Sequence, residues 1–220
     1  MTDILHLSFD APSHTYRHGS RILPGVTTIL RTMLYYPDYR NLEPRYRQLG
    51  KAVHDACHLY DLGLEPGAPY QEAVLARVQR FAQFEADTGF RGKVWEIPLA
   101  DTQRGYAGTI DTIGVLPSGE IWLVDIKTGT VPVLGVSMQL AAYADLIVNG
   151  RVIPIPRPAV LPLSLEWFEQ VRHSPGIKRR SLNLTAEAYT LRSHDEVRWT
   201  GDWRAAQRVF SNWKEFKLVA

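Results

Sequence analysis

The segment Ile121-Trp122-Leu123-Val124-Asp125-Ile126 is apolar at every position but one, and it constrains the fold more than any other stretch. Successive side chains of a strand leave on opposite faces. A run apolar on both faces therefore needs cover on both sides, the pattern of an inner strand in a layered α/β fold. Pro117-Ser118-Gly119 just before it is turn chemistry, and the preceding run Tyr106 to Val115 carries Ile110, Ile113 and Val115. The two runs predict an antiparallel hairpin. With its turn centred on 117–119, Asp111 comes nearly level with Asp125. Asp125 interrupts a buried strand, and a buried carboxylate is costly unless it meets a cation, a metal or strong donors. Lys127 points to the same face as Asp125, and Ile126 to the other.

A helix follows at once, in which Gln139 and Tyr143 share a face at i, i+4 and Leu140, Ala144 and Ile147 form the stripe toward the sheet. A lone Asp-x-Lys on a strand is usually a solvated pair of little energetic value. The ordered set of two acids, a lysine, an apolar strand and a Gln/Tyr helix is far more specific. Acids that hold a cation, beside an ammonium that steadies water or phosphate, are what metal-assisted phosphodiester hydrolysis needs. Upstream, Arg45 to Leu62 predicts a helix with Leu49, Val53, Ala56, Cys57 and Tyr60 on its apolar side and Gly63 as its stop. His54 borders that face and His58 lies one turn later. On spacing alone both read as partly buried histidines, since neither His-Glu-x-x-His nor a cysteine cluster argues for zinc. Tyr70 to Thr88 predicts a second amphipathic helix closed by Gly89, and Lys93 to Leu99 a strand before the hairpin. Glu96 alternates like an ordinary strand residue and is left outside the site. Arg151 to Pro162 is proline-rich and predicts an extended edge strand or linker. Ser181 to Leu191 reads as a strand and Trp203 to Phe216 as a terminal helix.

Four short motifs occur in order: Gly50 to His54, Gly108 to Asp111, Asp125 to Lys127, and Gln139 to Tyr143. Together they resemble the PD-(D/E)XK nuclease superfamily and, within it, the RecB-type exonuclease branch. The opening His14-Thr15-Tyr16, a glycine turn, then Pro24-Gly25-Val26-Thr27 before a helix is similar to small stand-alone members from phage and prophage genomes. The resemblance spans about residues 5 to 147, and no proline precedes Asp111. It implies an α/β, restriction-endonuclease-like core: a central mixed sheet flanked by helices, with a metal site where the central strands diverge. A single domain, 1–220, would hold a catalytic core at about 45–147, with the strand and helix of 181–216 as accessories. The implied metal ligands are Asp111, Asp125, the carbonyl of Ile126 and a nitrogen of His54, for Mg or Mn. Lys127 would orient the attacking water, and Gln139 and Tyr143 would position water, Lys127 or the DNA phosphate. The implied activity is a metal-dependent DNA exonuclease acting at ends in phage replication, recombination or repair. A structure-selective or site-specific endonuclease on the same fold, and a non-catalytic DNA-binding module, are the alternatives.

With 220 residues and 45% hydrophobic content the chain can bury one good core. A net charge of +2 does not indicate a protein that coats polyanions. Candidate phosphate contacts are Arg45, Arg47 and Lys51 ahead of His54, and the run Lys178-Arg179-Arg180. DNA, as double-stranded ends or single strands, is the expected partner. A recombinase, a single-strand-binding protein or a second copy follows only from the resemblance and has no motif of its own. The one cysteine, Cys57, excludes a disulfide framework and fits a reducing cytoplasm. Some relatives bind an iron–sulfur cluster through four cysteines, which this chain cannot supply within one subunit. Met1-Thr2-Asp3 lacks the basic start of a signal peptide, and no window approaches the roughly 18 apolar residues of a membrane span. The expectation is a cytoplasmic protein of a bacterial host cell.

Overall fold

The structure is a computed structural model that describes residues 6–10, 13–35, 43–64, 70–129, 133–150, 157–163 and 202–210. It is mixed α/β. Strands β1 (Leu7–Asp10), β2 (Thr15–His18) and β3 (Arg21–Leu23) form an antiparallel meander, followed by helix α1 (Val26–Thr32). Helices α2 (Pro44–Asp61) and α3 (Glu72–Thr88) come next, then strands β4 (Arg91–Asp101), β5 (Tyr106–Val115) and β6 (Ile121–Lys127). Helix α4 (Val133–Gly150) crosses back to strand β7 (Arg157–Pro162), and a last helix, α5, covers 202–210. The second sheet has the order β4-β5-β6-β7, antiparallel except for β7, which runs parallel to β6.

Local chemistry sets the helix bounds. Pro44 opens α2, where its missing N–H costs nothing. Gly63 follows the end of α2 at φ +74°, and Gly89 closes α3 at φ +69° with its N–H bonded 2.8 Å from Glu85 O, the left-handed stop that glycine adopts freely. Val53, Ala56 and Cys57 of α2 and Val74, Val78, Phe81 and Phe84 of α3 are buried at helical spacing. They meet Trp122, Val124 and Ile126 on one face of β6. Leu123, of the opposite parity, packs with Leu140, Leu146 and Ile147 of α4. The strand is covered on both sides, as its composition predicts. Each fully buried side chain of this kind contributes about 1.5–3 kcal/mol.

The hairpin register pairs Val115 with Ile121 and ends at Thr112 with Val124. One step further Asp111 stands level with Asp125, but the ladder has opened: the N–H of Ile126 donates to Asp111 Oδ2 at 2.7 Å. β6 meanwhile stays paired to β7 through Asp125, Ile126 and Lys127. The proline-rich segment supplies β7, with Pro158 and Pro162 on the edge strand of the described sheet, where a missing N–H is tolerated. The strand expected at Ser181 to Leu191 lies outside the described residues, as does the end of the helix expected to reach Phe216. Among the described residues no helix is long and apolar enough to cross a membrane.

Candidate functional site

The opened end of the hairpin gathers its side chains into two linked groups. In the first, His54 reaches across from α2. Its Nδ1 lies 3.1 Å from Glu96 Oε1 and 3.7 Å from Asp111 Oδ1, and its Nε2 is 3.2 Å from the carbonyl oxygen of Ile126. Donor atoms of His54, Glu96 and Asp111 all lie within 4.8 Å of one another, close enough to share one cation. Burial works against a charge on the imidazole. The carboxylates of Asp111 and Glu96 outweigh it and hold the pKa up, at about 9. The two acceptors it faces, a carboxylate and a backbone carbonyl, suit an imidazolium that donates from both ring nitrogens.

In the second group, Lys127 Nζ lies 2.6 Å from Asp125 Oδ2 and donates to Gln139 Oε1 at 3.1 Å. Gln139 Nε2 donates in turn to the Tyr143 hydroxyl at 2.8 Å. Asp125 is only 1% exposed. Its Oδ1 has no hydrogen-bond partner among the described residues, and its Oδ2 meets Lys127 as an ion pair outside hydrogen-bond angles. Burial first, and then the nearby Asp111, push the Asp125 carboxyl up against the pull of Lys127. Burial and the same two carboxylates also raise the Tyr143 phenol well above its usual value, so it stays protonated. A buried carboxylate left short of donors is stabilised by an added cation.

Glycine chemistry completes the layout. A Cβ on Gly108 would lie 2.6 Å from Tyr143 Cε1 and 3.3 Å from Val26 Cγ2, so the tyrosine ring closes down on bare backbone. A Cβ on Gly50 would meet only Thr128 Oγ1 at an ordinary 3.5 Å, so space does not require that glycine.

The N-terminal meander walls the other side of the site. Ala107 N donates to Pro24 O at 3.0 Å, and the hydroxyls of Tyr16 and Thr109 are 2.9 Å apart. Between meander and sheet lies a cavity of about 310 Å³, bounded by Phe9, His14 and Tyr16 on one side and by His54, Glu96 and Asp111 on the other.

All of the residues singled out from the sequence at 54, 111, 125, 126, 127, 139 and 143 converge here. Glu96 is the correction: ordinary alternation would leave it out, yet it bonds His54 and completes the three-donor cluster. Its backbone is left-handed, φ +47°, a costly state for a non-glycine residue that persists where its surroundings enforce it. No residue type announces that twist. Lys51 lines the cavity but pairs both oxygens of Asp55 at 3.0 Å. Arg45 pairs with Glu43 at 2.7 Å, and Arg47 is exposed near the start of α2. Lys178, Arg179 and Arg180 lie outside the described residues. His58 stacks on Trp95, ring centroids 5.1 Å apart, as a packing residue. No protein-family model matches the chain, and no curated protein matches it.

Proposed function

We propose that this chain is a metal-dependent deoxyribonuclease with a PD-(D/E)XK core of the RecB type, hydrolysing phosphodiester bonds at DNA ends. The observation that carries the proposal is the junction of the three-donor cluster, His54, Glu96 and Asp111, with the buried Asp125–Lys127 pair at the point where β5 leaves β6. Nitrogen and carboxylate oxygen donors suit Mg or Mn, and Asp125 Oδ1 is a buried acceptor that a cation would satisfy. His54, Glu96, Asp111 and Asp125 would hold the metal, with the Ile126 carbonyl beside them. Once bound, the metal would offset phosphate charge and make water more acidic.

The chain's own residues do the rest. Lys127, held by Asp125 and Gln139, keeps its ammonium where it can orient a water or bind a phosphate oxygen. Tyr143 fixes the Gln139 amide so that its oxygen faces Lys127. As a ligand His54 would offer a neutral imidazole nitrogen, so metal uptake would release a proton from it. The role in phage replication, recombination or repair comes with the resemblance. The test is degradation of end-labelled linear duplex and single strands beside covalently closed circular DNA, in Mg, Mn or EDTA, by wild type and Lys127→Ala. Metal-dependent loss of linear DNA alone, abolished by Lys127→Ala, is the expected result. Efficient cutting of the circle would replace the exonuclease with an endonuclease, and no cleavage with either metal would remove the enzyme.

A further inference from the structure

The cavity in front of the acids has an aromatic wall that the hydrolytic chemistry leaves without a task. Phe9 stacks on Tyr16 with centroids 4.6 Å apart and planes at 24°, and His14 sets its ring edge-on to both, at 5.2 and 5.7 Å. Tyr16 is fully buried and tied to Thr109, but Phe9 is only half-buried and His14 is exposed, both lining the cavity. His14 stands at φ +49°, a left-handed backbone uncommon outside glycine, though histidine takes it more readily than most residues. Side-chain bonds hold the turn on both sides of His14: Asp10 Oδ2 accepts from the backbone N–H of Ser13 at 3.1 Å and from its hydroxyl, which also reaches Thr15 Oγ1 at 2.8 Å. A tightly bonded turn thus fixes an exposed ring over a space of about 310 Å³ that ends at Glu96 and Asp111. That is the small end of the ~300–1,000 Å³ range of ligand clefts. A space of that size has room for one nucleotide.

Resting on the nuclease reading, we infer that Phe9 and His14 form a stacking platform for one unpaired base, the base of the nucleotide whose phosphate is presented to the acids. The substrate class is therefore a single-stranded or frayed DNA end. Stacking on an aromatic face tolerates any base, because every base has a π-face. This suits an enzyme that degrades ends without reading sequence.

Two substitutions separate the ring from the fold. His14→Gly removes the ring and relieves the left-handed backbone, so it does not threaten the turn. Phe9→Leu keeps apolar bulk against Tyr16 and removes the flat π surface. The experiment mixes the full chain, in Ca²⁺, with single strands carrying one 2-aminopurine at successive positions from either end. Mn²⁺ binding to each variant is measured by calorimetry. Wild type should quench the probe at one position only. His14→Gly should lose most of that quenching and bind about tenfold more weakly, the order expected for one lost base–aromatic stack. An abasic residue at the quenched position should erase the difference, while Mn²⁺ binding stays equal in all three proteins. Equal quenching by wild type and His14→Gly, or tighter binding of blunt duplex than of single strands, would overturn the platform. The two proposals fail separately. Cleavage in Mn²⁺ with no stacked position removes the platform and leaves the nuclease, whereas a stacked position lost in His14→Gly without cleavage supports the platform and removes the nuclease.

Discussion

Gly108→Ala should damage the site from a position that carries no chemistry of its own. The added methyl would stand 2.6 Å from Cε1 and 3.2 Å from Cδ1 of Tyr143. Carbon pairs are at ease at about 3.5–4.0 Å, so the ring must retreat by about 1 Å. Tyr143 is buried, and Val26 Cγ2 at 3.3 Å blocks a sidestep by the methyl. Overpacking of this kind costs about 1–3 kcal/mol, and the stiffer unfolded chain returns about 0.4–1 kcal/mol. A net loss of about 1–2 kcal/mol follows, about 2–8 °C in Tm for a chain of this size. A retreat of that size also stretches the 2.8 Å bond from Gln139 to the tyrosine hydroxyl and frees the amide that faces Lys127. The assay is urea unfolding in EDTA of wild type, Gly108→Ala, Tyr143→Leu and the double variant. With the ring gone, the methyl added at position 108 no longer collides, so the double variant should be more stable than additivity by about 1 kcal/mol or more. Additivity within about 0.3 kcal/mol would refute the steric account of this glycine.

Glu96→Gly should separate stability from metal binding. Relief of the left-handed backbone, about 1–2 kcal/mol, offsets the entropy of the new glycine and the lost bond to His54, so the urea midpoint should change little. Mn²⁺ affinity by calorimetry should fall about tenfold or more, and unchanged affinity would exclude Glu96 as a ligand. Glu85 gives a pH signature: burial first, then Asp61, push its carboxyl up to about 8 against the pull of Arg91. The folded chain therefore keeps a proton that the unfolded chain releases near pH 4.3, so this contribution is complete below that pH and is lost as pH rises through 8. Glu85→Gln should match wild type in urea at pH 4.5 and exceed it at pH 8.5 by on the order of 3 kcal/mol, and a gap independent of pH would defeat the assignment. Asp145 is buried and accepts from Tyr106 at 3.0 Å, Arg104 at 2.9 Å and Arg204 at 2.9 Å. Asp145→Ala should cost about 1–3 kcal/mol by orphaning the buried phenol, with faster amide exchange across 202–210; protection equal to wild type there would show that α5 does not depend on this anchor.

What the sequence made legible was what local rules control. A turn at 117–119 sets the hairpin register, so Asp111 and Asp125 come level, and parity along β6 sends Ile126 and Lys127 to opposite faces. Pro44, Gly63 and Gly89 punctuate α2 and α3 close to the expected ends. Glu96 was not legible, because its inclusion depends on a register shift between Gly92 and Val94 and on a left-handed residue inside a strand. Strand periodicity assumes neither. The aromatic wall was hidden for a different reason. Tyr16 meets Thr109, and Pro24 meets Ala107, across more than eighty residues of chain. Pairings at that separation leave no periodic trace.

Asp111 has two tasks, and the strand end explains why. Where the β5–β6 ladder stops, Ile126 needs an acceptor for its N–H, and Asp111 Oδ2 provides it at 2.7 Å in place of a backbone carbonyl. Its other oxygen turns to His54. The carboxylate therefore caps the strand where the ladder opens and also faces His54. An alanine at 111 leaves that N–H unpartnered at the strand end, so under the proposed function any lost activity would mix a lost ligand with a relaxed hairpin. Asparagine keeps an acceptor for Ile126 but turns an amide NH2 toward His54 in place of the charged oxygen. If the opening of the sheet is what builds the proposed site, Asp111→Asn should unfold in urea close to wild type and bind Mn²⁺ more weakly by calorimetry, whereas Asp111→Ala should lose stability as well.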